Sequence, residues 1–256
     1  MIIYLISLNK DIKRRERLKI KFPTSYAEMK WVKAIDGSEL SAKNYFFCAN
    51  QYYKENKRLI APSEVGCALS HIQAYKEFLK TDEEYCFIIE DDIIGEDKDI
   101  SRIFKIIDDQ QPDGLVLFGG QEGMPKDYWK YVLAEKNKEL YLISNFSKKF
   151  ITRAHCYALN RATAEQLISL HELSFQVADH WSILLKNINL YYIDIIKHPK
   201  DLVDSNIENE RYQIYSIQHK IFKEKYITGL FLKILNRIYN EIQRYLLKLK
   251  GYKNIN

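Results

Sequence analysis

The sequence predicts an α/β fold built on a mostly parallel sheet with helices packed against it. Apolar runs of strand length alternate with segments of helical periodicity along most of the chain, a pattern typical of parallel α/β domains. The 256 residues, 46% of them hydrophobic, suffice for one large domain or a domain with an appendage. Only 9 glycines and 5 prolines occur, so the composition argues against a disordered or collagen-like chain.

The N-terminal part is predicted to contain two strands, each followed by helical structure. Ile2 to Leu8 is an apolar run that we interpret as a strand and not as a signal peptide, because it lacks a basic start and a cleavage site. The charged segment 11–21 is predicted to be helical. Segment 30–37 predicts a short strand closed by an Asp-Gly turn, and the polar, aromatic segment 41–59 predicts short helices on the surface.

The same alternation continues to the end of the domain. A helix is predicted to begin at Pro62 with Ser63 as its N-cap. Tyr85 to Ile89 predicts a buried strand because it is short, apolar and rich in aromatic residues. The later predicted elements are a helix at 103–107, strands at 115–120, 139–143 and 154–159, helices at 161–171 and 181–186, and a strand at 190–196.

The C-terminal part is basic and amphipathic. Nine Lys or Arg and two Glu lie between Gln218 and Asn256, a net charge of +7, whereas the other 217 residues sum to −2. Because the composition changes near Glu208, we predict a domain at 1–207 and a helical tail at 208–256. Apolar residues recur in the tail at intervals of three or four: Ile227, Phe231, Ile234, Ile238, Ile242, Tyr245 and Leu249.

Two interpretations of the tail remain open. It is either a helix docked on the domain core or an interfacial helix on an anionic membrane surface. The wide apolar stripe and the positive charge favour the membrane. Nucleic acid is disfavoured as a partner because the domain carries no matching basic charge. No apolar run approaches the roughly 20 residues of a membrane span, and four widely spaced cysteines indicate a reducing cytosol and neither a zinc site nor a disulfide framework.

The most informative segment is the end of the predicted strand Tyr85–Ile89, where Glu90, Asp91 and Asp92 follow one another. Adjacent carboxylates repel each other, and a divalent metal with oxygen ligands would neutralise them. Ligands of open α/β sheets gather at the carboxyl ends of strands. An acidic turn in solvent is the alternative, and this segment alone favours neither interpretation.

Several common catalytic motifs do not occur. The first glycine in the chain is Gly37, so no glycine-rich loop follows the first strand, which argues against a dinucleotide fingerprint and a P-loop. The chain also lacks a His-Glu-x-x-His zinc motif and a Gly-x-Ser-x-Gly nucleophile turn. An acidic strand end without a phosphate loop suits a site in which a metal neutralises a diphosphate directly.

Six segments resemble, in order, glycosyltransferase family 25, the lipooligosaccharide-type galactosyltransferases. These segments are Ile3–Asn9 followed by Arg14 and Arg15, Ala34–Gly37, Ser63–His71, Phe87–Asp92, Tyr157–Asn160 and Val177–Trp181. The combination of Gly-Cys-Ala-Leu-Ser-His with a later Glu-Asp-Asp is the most specific part. Ser63 stands where Gly is commoner and Ala178 where Pro is commoner, and the basic tail lies outside the resemblance.

The resemblance implies an A-type glycosyltransferase fold for residues 1–207, a nucleotide-sugar donor and an inverting mechanism. We therefore expect a cytoplasmic enzyme, peripheral on the inner face of the membrane, that moves galactose from UDP-galactose to a bacterial lipooligosaccharide or other glycan acceptor with Mn²⁺ or Mg²⁺. A non-catalytic, membrane-associated binding protein on a degenerate transferase scaffold is one alternative. A metal-dependent nucleotidyltransferase or phosphatase is another.

The resemblance also implies roles for particular residues. Asp92 is expected to bind the metal directly, with Glu90 as a further ligand. His198 lies outside the matched segments and is a further candidate ligand, of the metal or of a phosphate, because it follows the predicted strand at 190–196. Asp179 is the expected catalytic base, since inversion needs a carboxylate opposite the leaving group, and Glu122 is the runner-up. The residues expected to contact the donor are Asn9, Arg14, Asp36, His71, Glu90, Asp91 and Trp181, the last by stacking on the sugar.

Overall fold

The computed structural model describes residues 1–199, 210–214, 216, 218 and 226–255. The strands are β1 (Ile2–Ser7), β2 (Met29–Lys33), β3 (Tyr85–Glu90), β4 (Leu115–Gly119), β5 (Leu133–Asn137), β6 (Leu140–Ile143), β7 (Cys156–Asn160), β8 (Leu190–Ile196) and β9 (Lys253–Asn254). The helices are α1 (Ile12–Lys21), α2 (Ala42–Asn56), α3 (Pro62–Leu79), α4 (Asp97–Gln110), α5 (Lys126–Trp129), α6 (Arg161–Leu173), α7 (Trp181–Leu184) and the C-terminal helix (Tyr226–Leu249).

The strands form one sheet in the order β2-β1-β3-β7-β4-β8-β6-β5-β9, so the predicted α/β class is confirmed. Within the described ranges, β1, β2, β3, β4, β5 and β8 point the same way, and β6, β7 and β9 run against them. The pairing is nevertheless mixed, and only three of the eight pairings in the described ranges are parallel. β7 inserts between β3 and β4 and is antiparallel to both, and β8–β6, β6–β5 and β5–β9 are antiparallel as well. Alternation of elements along a sequence does not reveal such an insertion.

This topology brings several strand ends to one edge of the sheet. β1, β3, β4 and β8 end there, and β7 begins there because it runs in the opposite direction. Loops that leave the carboxyl ends of neighbouring strands surround the usual ligand site of an α/β sheet. The acidic segment after β3 therefore lies among the loops that follow β1, β4 and β8.

Side chains of the central strands alternate between two hydrophobic layers. Phe87 packs edge-on against Phe118 with ring centroids 5.7 Å apart, in the layer that also contains the buried face of α4. Ile88 and Tyr157 point to the opposite layer, which contains α3 and α6. Each fully buried side chain of this size stabilises the fold by about 1.5–3 kcal/mol, so the sheet is a rigid support for the loops at its edge.

Two predicted details of the helices are wrong. Ala61 and not Ser63 is the N-cap of α3, with Pro62 in the first turn. The Glu64 side chain accepts a hydrogen bond from the Ala61 backbone N–H at 2.9 Å, and proline is favoured at the first helical position. Segment 41–59 contains one helix of 15 residues, α2, capped by the Ser41 hydroxyl, where short helices were predicted.

The C-terminal helix contacts the domain through its polar side. Glu241 accepts hydrogen bonds from Lys130 Nζ at 2.9 Å and from the Tyr131 hydroxyl at 2.8 Å, and Lys149 donates to Asn240 at 2.8 Å. The apolar side is exposed, a stripe that we call the apolar stripe: Leu232, Ile234, Leu235, Ile238, Tyr239, Ile242, Tyr245, Leu246 and Leu249. The helix is docked mainly through its polar side, although Tyr239 at the edge of the apolar stripe also packs against Phe146 with ring centroids 6.3 Å apart. The face that amphipathicity predicts is therefore not the main contact.

Beyond this helix the chain rejoins the sheet. β9 pairs antiparallel with β5, and Ile255 is 3% exposed. The boundary predicted between residues 207 and 208 falls outside the described residues. Of the helices in the described part of the chain, none combines the length and hydropathy needed to cross a membrane.

Candidate active site

A cleft of about 480 Å³ lies at the edge of the sheet where β1, β3 and β8 end. Its walls come from the loop after β1, the segment after β2, the first turns of α3, the acidic segment at the end of β3, the residues before β7, the segment before α7 and His198 after β8. The lining includes Arg14, Asp36, Cys67, Glu90, Asp91, Asp92, Arg153, His155, Asp179, His198 and Arg211. The structure thus brings most of the predicted site residues together.

Asp91 faces inward and joins β3 to the neighbouring β1. Its Oδ2 accepts a hydrogen bond from the Ser7 hydroxyl at 2.6 Å, and its Oδ1 accepts one from Arg14 Nη1 at 3.1 Å. Burial raises the pKa of the Asp91 carboxyl to about 6, although the bonds from Ser7 and Arg14 act in the opposite direction. Both oxygens are engaged, so Asp91 holds Arg14 at the cleft wall.

Asp92 lies beside His198 and has one oxygen without a partner. Its Oδ2 is 3.5 Å from His198 Nε2 and 3.7 Å from Arg14 Nη1, whereas its buried Oδ1 has no hydrogen-bond partner. Burial alone would raise the pKa of Asp92, but the hydrogen bond and charge of His198, together with Arg14, outweigh it and lower the pKa. The carboxylate is therefore ionised and has a free oxygen.

The Asp92–His198 pair fits a divalent cation. His198 Nδ1 is 2.9 Å from the Pro199 carbonyl oxygen; donation to that carbonyl fixes the ring with Nε2 facing Asp92, and a cation that displaced the Nε2 proton would be bound there as in other metal-binding histidines. A carboxylate oxygen without a hydrogen bond and an imidazole nitrogen suit Mn²⁺. Asp92 and His198 therefore lie close enough to share a cation, and their role as metal ligands stays a prediction.

Glu90 belongs to a different group of side chains. Its Oε1 is 3.2 Å from His71 Nε2, and His71 Nδ1 is 2.7 Å from the Tyr157 hydroxyl, which is 2.7 Å from that of Tyr75. His71 is 1% exposed and does not line the cleft, so its expected contact with the donor is wrong. Because β3 ends at Glu90, the chain turns before Asp92 and separates the two carboxylates.

Asp179 lies at the wall of the cleft, and a backbone group orients its carboxylate. Its Oδ2 accepts a hydrogen bond from the Arg153 N–H at 2.9 Å. The N-cap of α7 is His180, without a side-chain cap, so Asp179 is not a helix cap. A carboxylate held by one donor keeps its other oxygen available to accept a proton.

Trp181 does not have the expected sugar-stacking position. Its side chain is 1% exposed, its ring packs edge-on against Tyr157 at 5.8 Å, and its indole N–H donates to the Arg153 carbonyl oxygen at 3.3 Å. Both faces of the Trp181 indole ring are therefore buried in the core. Trp181 supports the loop that carries Asp179, and the expectation that it stacks on the sugar is wrong.

Of three other predicted site residues, one lines the cleft and two do not. Asp36 lines the cleft, and its hydrogen bond from Lys10 Nζ at 2.5 Å lowers the pKa of its carboxyl. Asn9 is exposed and outside the cleft lining. Glu122 is also outside the lining; its Oε2 accepts from the His198 N–H at 3.3 Å and its Oε1 is 3.3 Å from Lys197, so it supports the His198 loop.

Two residues of the cleft carried no signal in the sequence. Arg153 has a left-handed backbone (φ 66°), and its Nη1 donates to the Gly120 and Glu122 carbonyl oxygens at 2.6 and 2.9 Å. His155 is 1% exposed, lies 5.1 Å from the His198 ring and has no hydrogen-bond partner at either ring nitrogen. Burial lowers the pKa of His155 to about 3. Gly120 leaves room for this ring, since a Cβ there would lie 1.6 Å from it.

Part of the basic C-terminal region also lines the cleft. Arg211 Nε and Arg58 Nη2 each donate to Glu64 Oε1 at 3.0 Å, and Glu210 accepts from the Ser63 N–H at 3.0 Å. Glu64 is buried at the start of α3. The helical segment at 210–214 is therefore attached to α3, and Glu210 and Arg211 complete one wall of the cleft.

Comparisons with known proteins identify the family. The model of glycosyltransferase family 25 (LPS biosynthesis protein) matches residues 1–181. A putative glycosyltransferase of Haemophilus influenzae is 25% identical over 259 residues, which cover 97% of this chain and 86% of that protein. Human procollagen galactosyltransferase 2 is 29% identical over 130 residues, 48% of this chain, and the chain spans only 21% of the length of that relative.

Among solved structures, TarS from S. aureus aligns over 77% of this chain and 60% of that one, with a TM-score of 0.42 and 13% identity. The family match covers all six motif segments, from the first strand to Trp181, and includes the acidic segment and Asp179. The chain belongs to glycosyltransferase family 25.

Proposed function

We propose that this glycosyltransferase moves galactose from UDP-galactose to a hydroxyl of a bacterial lipooligosaccharide or other glycan, with inversion and with Mn²⁺ or Mg²⁺ bound. One observation carries the proposal: Asp92, with its unpartnered oxygen beside His198, and Asp179, held by the Arg153 N–H, line the same cleft. Two carboxylates in different environments can serve two different roles.

The Asp92 side of the cleft suits the donor diphosphate. Asp92 and His198 would hold the cation, which when bound supplies positive charge to the departing nucleoside diphosphate. Arg14 Nη1 lies 3.7 Å from Asp92, so a guanidinium adds to the positive potential there. Asp36, at the end of the cleft beside β1 and β2, has its carboxylate fixed by Lys10 and Ser38 and is placed to accept hydrogen bonds from the nucleoside.

The Asp179 side suits the acceptor. An inverting displacement needs a base that removes the proton of the attacking hydroxyl on the face opposite the leaving group. The hydrogen bond from the Arg153 N–H fixes Asp179 Oδ2, and the other oxygen accepts the proton as the new glycosidic bond forms. Arg153 is itself held by the Gly120 and Glu122 carbonyl oxygens, so the base sits on a rigid loop and is oriented before substrate binds.

The choice of sugar and acceptor rests on similarity to relatives of known type. Human procollagen galactosyltransferase 2 supports galactose, and the family description supports a lipopolysaccharide acceptor. The purified chain is expected to release UDP from UDP-galactose faster than from UDP-glucose or the two N-acetylhexosamine donors, and only with Mn²⁺ or Mg²⁺. Release of inorganic phosphate or pyrophosphate would instead indicate a phosphatase or nucleotidyltransferase, and binding without turnover a degenerate scaffold.

We further propose that the C-terminal helix holds the enzyme on the anionic inner leaflet of the cytoplasmic membrane, where a lipid-linked acceptor is accessible. The apolar stripe is exposed, and Lys233, Arg237 and Lys248 are exposed on the same helix. An exposed apolar face flanked by cations binds an anionic lipid surface by burial and by charge.

Substitutions on the stripe test membrane binding better than truncation, because truncation would also remove β9 from the sheet. A variant with Leu235→Gln, Ile238→Gln and Ile242→Gln is expected to stay folded, since all three side chains are about half exposed. Wild type should co-sediment with vesicles containing phosphatidylglycerol, less so at high salt, and the triple variant should not. An Arg237→Gln variant should lose about 1 kcal/mol of binding. Equal sedimentation of wild type and triple variant would contradict the proposal.

A further inference from the structure

Cys67, His71 and Glu90 form a compact cluster at the wall of the cleft. The Cys67 sulfur, one His71 nitrogen and one Glu90 oxygen all lie within 4.8 Å of one another. Cys67 and His71 are four residues apart on α3, so they share one face of the helix, and Glu90 at the end of β3 faces them. Cys67 and Glu90 line the cleft, while His71 is buried behind them.

The surroundings of His71 hold its ring in the orientation that a ligand needs. Its Nδ1 is 2.7 Å from the Tyr157 hydroxyl, which the Tyr75 hydroxyl contacts in turn at 2.7 Å. The remaining nitrogen, Nε2, points at Glu90. Metal-binding histidines are usually fixed in this way, by a hydrogen bond at the nitrogen that does not bind the metal.

We propose that Cys67, His71 and Glu90 form a site for a divalent cation of the Zn²⁺ class, separate from the Asp92 site. A thiolate, an imidazole and a carboxylate are the three ligand types that Zn²⁺ takes in proteins, and the thiolate disfavours Mg²⁺ and Mn²⁺. Binding breaks the S–H bond of Cys67, whose proton passes to solvent while the sulfur bonds to the cation. The fourth position faces the cleft, as in zinc sites that keep one position for an exchangeable ligand.

The site has a consequence for the cleft. A cation there engages the Glu90 carboxylate, which lines the cleft, and places a new positive charge at the wall formed by α3. The other cysteines, Cys48, Cys86 and Cys156, are buried, so the half-buried Cys67 is the thiol that a cation in the cleft can reach. The inference does not depend on the proposed donor, acceptor or base.

Co²⁺ is the probe for this site, because it occupies zinc sites and a thiolate ligand gives it a charge-transfer absorption in the near ultraviolet. Reduced, metal-free full-length protein should develop this band on titration with Co²⁺, and added Zn²⁺ should remove it. Cys67→Ser should lose the band, and Cys48→Ser should keep it as the matched control. Asp92→Asn should also keep it, which separates this site from the metal site of the proposed reaction.

Two further variants guard against a folding defect in Cys67→Ser, which circular dichroism would reveal. Tyr157→Phe removes the hydrogen bond that orients His71 and should weaken Co²⁺ binding by about 10–100-fold. Glu90→Gln, at the partly exposed cleft wall, should weaken it by about tenfold or more. The proposal is overturned if wild type shows no band, if the band survives in folded Cys67→Ser, or if neither further variant changes the affinity.

Discussion

Replacing Asp179 by Asn is expected to lower kcat by about 10²–10⁴-fold, the usual contribution of a general base. Asn has the same shape, and its carbonyl oxygen can still accept the 2.9 Å hydrogen bond from the Arg153 N–H, so the loop should keep its conformation. The KM for the donor should change little, because Asp179 acts on the acceptor. Initial rates at saturating donor and acceptor, with the anomeric configuration of the product, provide the measurement.

Two control variants locate the effect at Asp179. Asp109→Asn alters an exposed carboxylate that pairs with Lys105 on α4, far from the cleft lining, and should leave the rate unchanged. Glu122→Gln tests the runner-up base. A large loss of kcat in Glu122→Gln, with near-normal turnover in Asp179→Asn, would transfer the catalytic role to Glu122.

Asp92→Asn is expected to remove metal-dependent turnover. Charge stabilisation by a catalytic metal amounts to several kcal/mol, which corresponds to at least about 10²-fold in rate. In the wild type, His198 Nε2 and Arg14 Nη1 lie 3.5 and 3.7 Å from the Asp92 carboxylate. The substitution removes this negative charge, so the remaining positive charge repels a cation from the site.

Direct metal binding distinguishes this loss from a general defect. Titration followed by the Mn²⁺ electron paramagnetic resonance signal should show binding in wild type and in Asp109→Asn but not in Asp92→Asn. Thermal unfolding should be raised by Mn²⁺ in the first two proteins only, since a ligand stabilises the state that binds it. Retention of Mn²⁺-dependent turnover by Asp92→Asn would show that the metal is held elsewhere.

Much of the fold could be predicted because single strands and helices have local signals. The apolar run at Leu190–Ile196 is a strand with the predicted bounds, and the strand before the acidic segment is where the sequence places it. The pairing of β7 with β3 and β4 has no local signal, because it depends on contacts between distant parts of the chain. Which side of the C-terminal helix docks also depends on distant residues, since Lys130 and Tyr131 bind Glu241 on that side.

The candidate site, like the fold, could be predicted only where the sequence carries a local signal. Asp92, His198 and Asp179 line one cleft. The motifs that contain Asp92 and Asp179, and the position of His198 after a predicted strand, could indicate this because all three residues lie next to strand or helix ends. Trp181 and His71 are buried. The presence of an aromatic or imidazole side chain in a motif does not show whether that side chain is buried or faces a ligand. The spacing of four between Cys67 and His71 on a predicted helix was the signal that could have linked them, whereas nothing in the sequence marked His155.

The insertion of β7 also constrains the order in which the protein can fold during synthesis. β3 and β4 are both translated before residue 156, yet each has β7 as a neighbour in the finished sheet. Until that strand leaves the ribosome, β3 and β4 each have an unpaired apolar edge, the feature that promotes association between chains. Nascent chains stalled before β7 should therefore depend on chaperones, and chains long enough to have both β7 and β8 outside the ribosome, the two neighbours of β4, should be much more resistant to protease.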